Sequence, residues 1–353
     1  MGIDEDIEEI EQEIRETPYN KATQQHIGRL KAKLARLRDK KAEQAAKSSG
    51  GSGFAVKKTG DATVGMIGFP SVGKSTLLNR LTNAESETAD YDFTTTTIVP
   101  GVMDYEGCKI QLLDLPGIIH GASEGRGEGK KIISMARVVD LLLILVDAGQ
   151  PSQLDHIRRE LYRSGIRLNQ RPPAVSVKKK GSGGVHVELS RRARLDERTA
   201  RSIAQEYLVN ADISIRGDVT AEQFIDTLAG NRVYIPAVVA CNKIDVHGDG
   251  CGEGIPMSAK TGEGVDRLRQ RIFEKLDVAR VYLKPQHGKA DMERPLVVKQ
   301  GAEIADVCRE VHRSFEKNFR YASVWGPSAA FPGQRVGLDH VVQDGDVVTI
   351  VTR

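Results

Sequence analysis

The sequence predicts an α/β fold in which a parallel β-sheet carries helices on both faces, with a smaller α+β unit at the C-terminus. Apolar runs of strand length occupy residues 62–68, 109–115, 141–148 and 233–242. Helical stretches separate these runs, and strands that alternate with helices are typical of parallel sheets. A shorter strand–helix–strand pattern begins near residue 281, which predicts the second unit.

Composition narrows the class of protein. The 353 residues include 51 Lys plus Arg and 48 Asp plus Glu, a net charge of +3, and the length fits two or three domains. Four cysteines without a CxxC pair disfavour a disulfide scaffold and a zinc site. The longest apolar run is too short to cross a bilayer, and the acidic N-terminus lacks an apolar signal segment. We therefore expect a cytoplasmic protein with reduced thiols and no membrane partner.

The first 53 residues predict a helical hairpin and a linker. Isoleucines recur at helical spacing from Ile3 to Ile14, and leucines do so from Leu30 to Leu37, with Pro18 between the two stripes. The first arm is acidic and the second is basic. The hairpin either docks on the next domain or binds a partner, and both alternatives stay open. A Gly/Ser-rich linker ends the segment.

The remaining boundaries follow from changes in composition. We predict one α/β domain in two parts, residues 54–166 and 233–280, interrupted by a basic inserted subdomain at 167–232 and followed by an α+β domain at 281–353. Residues 167–201 carry ten basic and three acidic residues. This segment is either a contact surface for RNA phosphates or a solvated basic face.

The strongest motif matches GxxxxGK[ST], follows a predicted strand and opens a predicted helix. Its residues are Gly68, Phe69, Pro70, Ser71, Val72, Gly73, Lys74 and Ser75, and the predicted nucleotide site extends to Thr76. Glycines let backbone N–H groups approach a polyphosphate, and the helix N-terminus adds partial positive charge. Lys74 would reach the β- and γ-phosphates, and the Ser75 hydroxyl would bind Mg²⁺.

Two further segments fit the phosphate end of such a site. Asp114, Leu115, Pro116 and Gly117 end a predicted strand, where Asp114 would hold Mg²⁺ through water and the Gly117 N–H would bond the γ-phosphate. Between them and Lys74 lies a run of threonines at 94–97. Thr95 is our choice, by analogy, to complete the Mg²⁺ shell in the triphosphate state, with Thr94 or Thr96 as alternatives. Lys74, Thr95 and Gly117 are the candidate catalytic groups.

The base end is predicted by two motifs later in the chain. Asn242, Lys243 and Asp245 form NKxD at a strand end, where the Asp245 carboxylate would accept bonds from the ring N–H and the amine of guanine. Ser258, Ala259 and Lys260 follow, and a backbone N–H there would meet the guanine carbonyl oxygen. Adenine lacks this donor pair, so the motifs favour GTP and GDP over ATP.

These motifs resemble the developmentally regulated GTP-binding protein (DRG) family, within the Obg-like GTPases. The stretches GFPSVGKST, DYDFTTTTIVPG and LLDLPGIIHGASEGRGEGKK carry the resemblance. It implies a helical N-terminus, a P-loop GTPase domain with an insertion, and a C-terminal TGS domain of ubiquitin-like β-grasp fold. It also implies a cytosolic GTPase linked to ribosomes and translation, with the ribosome or ribosomal RNA and a DRG-family regulatory protein as partners.

Two departures bear on mechanism. Ile118 stands where many small GTPases carry a water-orienting Gln, so we expect slow intrinsic turnover, on the order of 10⁻³ s⁻¹ or less. Replacement groups would come from His120, Glu124, Arg126 or Glu128. Ser71 stands where potassium-activated relatives typically have Asn, whose amide oxygen helps to bind K⁺. Serine still offers an oxygen, so K⁺ stays a candidate activator beside Mg²⁺, and the departure leaves activation by K⁺ open. The expected function is a GTP-hydrolysing, ribosome-associated switch; the alternative is an RNA- or ribosome-binding adaptor that holds GTP with negligible turnover.

Overall fold

The computed structural model of the chain describes residues 3–48, 60–82, 100–115, 134–248 and 252–353. They divide into two compact units. Of the described residues, 3–48, 134 and 158–235 belong to the first unit, and the rest belong to the second.

The described helices, in chain order, are α1 (Ile3–Glu16), α2 (Gln24–Ser48), α3 (Lys74–Leu81), α4 (Gln153–Arg163), α5 (Glu197–Gln205), α6 (Ala221–Ala229), α7 (Ile244–His247), α8 (Val265–Leu276), α9 (Ile304–Val311) and α10 (Arg313–Lys317). The strands are β1 (Ala62–Gly68), β2 (Pro100–Tyr105), β3 (Cys108–Asp114), β4 (Leu141–Asp147), β5 (Ile166–Leu168), β6 (Val175–Lys179), β7 (Val185–Leu189), β8 (Ala211–Ile215), β9 (Val233–Ile235), β10 (Ala237–Asn242), β11 (Ile255–Pro256), β12 (Val278–Leu283), β13 (Leu296–Lys299), β14 (Phe319–Trp325), β15 (Gln334–Val336) and β16 (Asp346–Thr352).

The main sheet of the second unit has the strand order β11-β10-β4-β1-β3-β2. Strands β1, β3, β4, β10 and β11 are parallel, as predicted, but β2 pairs antiparallel with β3, so the sheet is mixed rather than wholly parallel. The two-residue turn at Glu106 and Gly107 explains the difference, because both residues have positive φ and close a tight hairpin. The central strand β4 is buried along its whole length and anchors the core.

The C-terminal sheet of the second unit has the order β13-β12-β16-β14-β15. Helix α9 packs on one face through Ile304, Val307 and Cys308. The sheet begins at Val278, so the predicted boundary between residues 280 and 281 falls inside β12. No linker precedes β12, because α8 ends at Leu276 and the left-handed backbone of its C-cap residue, Asp277, turns the chain directly into the strand.

The predicted N-terminal hairpin is present in the first unit. Ile10, Leu30 and Leu34 are buried together, with Ile7, Ile14 and Leu37 packed around them. The two arms pair by charge, since Arg38 bonds Glu11 at 2.6 Å and Lys41 pairs with Asp4. The acidic and basic arms are therefore joined both by ion pairs and by the apolar stripes buried between them.

The hairpin docks on the inserted segment and shares its core. Strands β6, β8 and β7 form a three-stranded sheet, and helices α5 and α6 contribute to the core beneath it. Ala32 of α2 is fully buried in that core beside Ala200 and Ile203. A Cβ on Gly28 would lie 2.9 Å from Thr199, so α2 approaches α5 closely. The described residues 3–48 and 158–235 thus belong to one compact unit, whereas the sequence predicted 1–53 and 167–232 as separate domains.

Cys108 and Cys308 are free, buried thiols. Cys241 is disulfide-bonded, which differs from the expectation of reduced thiols throughout. Among the residues that the structure describes, no helix combines the length and apolarity needed to cross a bilayer.

Candidate nucleotide-binding site

The phosphate loop runs from Gly68, at the end of β1, to Lys74, where α3 begins. Ser71 (φ 58°) and Gly73 (φ 99°) take left-handed backbone conformations that curl the loop. Glycine is required at both ends. A Cβ on Gly68 would lie 2.6 Å from the Leu145 carbonyl oxygen, and a Cβ on Gly73 would lie 2.4 Å from Nδ2 of Asn242.

The Lys74 side chain folds back over this loop. Its ammonium donates to the carbonyl oxygens of Gly68 and Phe69, both at 3.0 Å. Ser75 and Thr76 lie exposed in the first turn of α3. The loop therefore presents a cation, two hydroxyls and a helix N-terminus on one surface, which is the chemistry that a polyphosphate needs.

Asp114 ends β3, next to β1 in the sheet, with Met66 as its register partner. Its Oδ1 atom is buried and has no hydrogen-bond partner among the described residues. Burial raises the pKa of this carboxyl, and the nearby Lys74 ammonium opposes the rise. A buried carboxylate oxygen without a donor fits a divalent cation or its bound water, since hard cations prefer oxygen ligands. Leu115 follows and bonds back to β1 through its N–H.

Several predicted residues lie outside the described part of the chain. They are Thr94, Thr95, Thr96, Pro116, Gly117, Ile118, His120, Glu124, Arg126 and Glu128. Their assignments stay predictions.

Asn242 joins the two halves of the site. It ends β10, is 3% exposed, and its Nδ2 donates to the Val72 carbonyl oxygen at 2.8 Å. Its Oδ1 accepts from the Ala259 N–H, also at 2.8 Å. One buried amide thus ties the phosphate loop to the loop that follows β11. The structure brings the two predicted ends of the site together.

Lys243 has a left-handed backbone (φ 69°) and its ammonium bonds Oδ2 of Asp147 at 2.7 Å. The other carboxylate oxygen of Asp147 accepts from the Gly149 N–H at 2.9 Å. Burial alone would raise the pKa of Asp147, but these two hydrogen bonds hold it below its usual value. Asp147 therefore stays ionised and fixes the Lys243 side chain.

The sequence reasoning did not identify Asp147. The signal was present, because Asp147 is the polar residue that ends an otherwise wholly apolar strand, and β4 lies beside β10. Carboxyl ends of adjacent parallel strands meet at one edge of the sheet. Its register partner is Asn242 itself.

Asp245 lies exposed in the short helix α7. Buried residues and a side-chain hydrogen bond fix the 258–260 segment. The fully buried Ser258 accepts from the Thr261 N–H through its hydroxyl at 3.1 Å, and Ala259 is buried while Lys260 is exposed.

Arg80, in the last turn of α3, was also absent from the prediction. It donates to the Ala259 carbonyl oxygen at 3.2 Å and to the Lys260 carbonyl oxygen. The helix that starts at the phosphate loop thus supports the second loop at its other end. No local motif marks this contact, because it depends on residues 179 and 180 positions apart.

Comparison with family profiles agrees with this layout. A profile described as 50S ribosome-binding GTPase matches residues 63–180, and one for the C-terminal region of that domain matches residues 182–278. A TGS-domain profile matches residues 279–352.

Two relatives match the chain along its whole length. A GTP-binding protein of Methanocaldococcus jannaschii is 52% identical over 367 residues, which covers 100% of this chain and 94% of the relative. The developmentally-regulated GTP-binding protein 1 homolog of Dictyostelium discoideum is 44% identical over 372 residues, with 100% of both chains covered. Among solved structures, a GTP-binding protein from Pyrococcus horikoshii OT3 is 16% identical with a TM-score of 0.46, covering 82% of this chain and 100% of that one.

Proposed function

Because the chain belongs to the developmentally regulated GTP-binding protein family, we propose that this GTP-binding protein hydrolyses GTP to GDP and phosphate and acts as a ribosome-associated switch. The observation that carries the proposal is the Asn242 bridge, which joins a phosphate loop and a guanine-type loop into one site. The ribosomal link is supported by the family profile, whose description is a ribosome-binding GTPase.

Different residues of the site would bind the phosphates and the base of GTP. Lys74 would leave the carbonyl oxygens of its own loop and pair with the β- and γ-phosphates. Asp245, with the N–H groups of the 258–260 loop, would recognise guanine. Asp147 would keep Lys243 in place beside the base end.

Ser75, Asp114 and Thr95 would hold Mg²⁺, for which the partnerless Asp114 oxygen is suited. When bound, the ion supplies charge neutralisation of the phosphate oxygens. Gly117 would add a backbone N–H to the γ-phosphate. With Ile118 in place of Gln, this chain has no amide side chain there to orient water, so intrinsic turnover would be slow.

For the contact with ribosomal RNA, we favour the insertion over the basic arm of the hairpin. In the arm, Arg29 and Lys31 pair with Glu206 and Glu222 of the same unit. In the insertion, three successive lysines at 178–180 are exposed at the start of a glycine-rich loop, and one of them, Lys180, pairs with Asp212. Asn210 clamps that loop, accepting from the Gly184 N–H at 2.8 Å and donating to the Gly181 carbonyl oxygen at 3.2 Å.

The deciding experiment measures phosphate release from GTP with and without ribosomes, in KCl and in NaCl. We expect ribosomes to raise turnover at least tenfold. Near-zero release under every condition would contradict the switch and favour an adaptor that only holds GTP. Equal rates in the two salts would remove K⁺ from the mechanism.

Lys74→Ala is expected to weaken GTP binding by about 100-fold or more, because charge-assisted bonds to two phosphates are lost at about 1.5–3 kcal/mol each. Titration of a fluorescent GTP analogue measures the change. The control is Lys178→Ala, an exposed lysine of the other unit, which should bind normally. Retained tight binding by Lys74→Ala would falsify the assignment of the phosphate loop.

Asp245→Asn is expected to change the preferred base from guanine to xanthine. The carboxylate that accepts from guanine becomes an amide that donates to the xanthine carbonyl, and a mismatched polar pair costs about 100- to 10,000-fold. Competition between GTP and XTP measures the selectivity. Asp266→Asn, at an exposed position on α8, is the control. An unchanged preference would exclude Asp245 from base recognition.

A further inference from the structure

The 258–263 segment, which lies between β11 and α8, uses most of its backbone donors internally. Five of its six N–H groups have acceptors in the described part of the chain, and they belong to Ser258, Ala259, Thr261, Gly262 and Glu263. The sixth N–H group, that of the exposed Lys260, has no hydrogen-bond partner among the residues that the structure describes. Lys260 therefore carries the backbone donor of this segment that is left for a ligand.

Ala259 places this donor at the base end of the candidate site. Its own N–H is committed to Oδ1 of Asn242, at 2.8 Å. Asn242 ends β10, and Asp245 follows it in the short helix α7. The Lys260 N–H, one residue after Ala259, is therefore next to the groups that would recognise guanine.

Arg80 controls the direction of this donor, because it bonds the other end of the same peptide group. Its Nε donates to the Ala259 carbonyl oxygen at 3.2 Å, and its Nη2 donates to the Lys260 carbonyl oxygen. The described residues contain no cis peptide bond, and in a planar trans peptide the C=O and N–H groups point in opposite directions. Because the Ala259 carbonyl points at Arg80, the Lys260 N–H points away from Arg80.

Arg80 is itself held in place. Arg269 of α8 donates to the Arg80 carbonyl oxygen at 3.0 Å. A Cβ on Gly262 would lie 3.7 Å from Nη1 of Arg80, so the 258–263 segment packs against the guanidinium. A guanidinium is planar and carries its donors in fixed directions, so one side chain holds two carbonyl oxygens at once. The peptide group between Ala259 and Lys260 is therefore fixed from α3, the helix that begins at the phosphate loop.

We propose that Arg80 is a positioning residue for guanine recognition, which aims the Lys260 N–H at the guanine carbonyl oxygen. The inference rests on the proposed GTP site and adds a residue that lies outside its sequence motifs. Without Arg80, the peptide group is free to rotate and to present the Ala259 carbonyl to the base. That carbonyl would repel the guanine oxygen and would accept from the amine that adenine carries at the same position. Arg80 therefore also selects against adenine nucleotides.

Two analogues of GDP separate this contact from the one at Asp245. In 6-thio-GDP, sulfur, a weak acceptor, replaces the carbonyl oxygen that the Lys260 N–H would bond. IDP keeps that oxygen but lacks the amine from which Asp245 would accept. Competition against a fluorescent GDP analogue measures the affinity of the full-length protein for all three nucleotides. We expect the wild type to bind GDP about tenfold more tightly than either analogue.

Arg80→Ala should reduce the preference for GDP over 6-thio-GDP to about twofold or less, and it should leave the preference for GDP over IDP at its wild-type value. A merely structural role would lower both preferences together. Arg80→Lys, whose ammonium lacks the planar fork, should give an intermediate preference over 6-thio-GDP. The matched control is Arg271→Ala, at an exposed position on α8, which should keep both wild-type preferences.

The proposal is overturned if the wild type binds 6-thio-GDP as tightly as GDP, if Arg80→Ala keeps the wild-type preference, or if both preferences fall together. If Arg80→Ala does not fold, an unchanged preference in Arg80→Lys overturns it. Failure of the wild type to bind GDP would be a different result, because it would overturn the proposed function together with this inference.

Discussion

Asn242→Ala is expected to reduce guanine-nucleotide affinity by about 100-fold or more and to lower the melting temperature. The substitution removes a donor from the Val72 carbonyl oxygen and an acceptor from the Ala259 N–H, both in a buried setting. A buried group left without its partner costs about 1–3 kcal/mol, and here there are two. The phosphate loop and the 258–260 loop would lose the side chain that bonds to both of them. The sites for the two ends of GTP would then no longer be held at a fixed distance.

Isothermal titration with GDP and a thermal melt measure the two effects. Asn79→Ala, at an exposed position on α3, is the matched control and should change neither. Asn242→Asp keeps the acceptor for Ala259 but directs a carboxylate at the Val72 carbonyl oxygen, so it should also bind GDP weakly. Normal GDP affinity in Asn242→Ala would show that the bridge does not organise the site.

Asp226→Ala is expected to destabilise the first unit by about 3–5 kcal/mol, because removal of one partner leaves a buried charge uncompensated. Asp226 is 6% exposed, and its two carboxylate oxygens accept from Nε and Nη2 of Arg167, at 2.6 and 2.7 Å. It also accepts from Arg232 at 2.9 Å, and Arg232 continues to Asp39 of α2 at 3.0 Å. The network thus links the insertion to the N-terminal hairpin.

Urea denaturation followed by two probes separates the units. Circular dichroism reports both units, whereas the single tryptophan lies in the second unit and reports that one. In Asp226→Ala, circular dichroism should show a transition at a lower urea concentration than in the wild type. The transition seen by tryptophan emission should stay at its wild-type urea concentration. The control is Asp218→Ala, which breaks the exposed pair with Arg194 and should cost about 1 kcal/mol or less. Similar losses in the two variants would contradict a buried network.

The parts of the fold that sequence predicts well are those with strong apolar runs. Strands β1, β3, β4 and β10 each carry such a run because neighbours cover both of their faces. Strand β2 lies at the edge of the sheet and begins with Pro100 and Gly101, and its Glu106–Gly107 turn is not one of the favoured hairpin pairs, so nothing marked it.

In the candidate site, residues in local motifs could be predicted from sequence, whereas residues that act through distant contacts could not. Glycine, lysine and aspartate stand in the motifs because local backbone geometry and ligand chemistry require them there. Asp147 and Arg80 act through contacts with residues 96 and 179 positions away, and only the folded sheet brings them together. The docking of α2 on α5 was hidden for a related reason, because a helical stripe shows that a face is buried but not against which element.

That docking has a consequence for biosynthesis. The face of α2 around Gly28 and Ala32 is made early, but the residues that cover it, from Thr199 to Ile225, are made about 170 to 190 positions later. At a synthesis rate of about 5–20 residues per second, roughly 10–40 s pass between synthesis of the hairpin and synthesis of helices α5 and α6, which cover it. During that interval the polypeptide carries uncovered hydrophobic surface, and we expect a chaperone to protect this surface as the chain emerges.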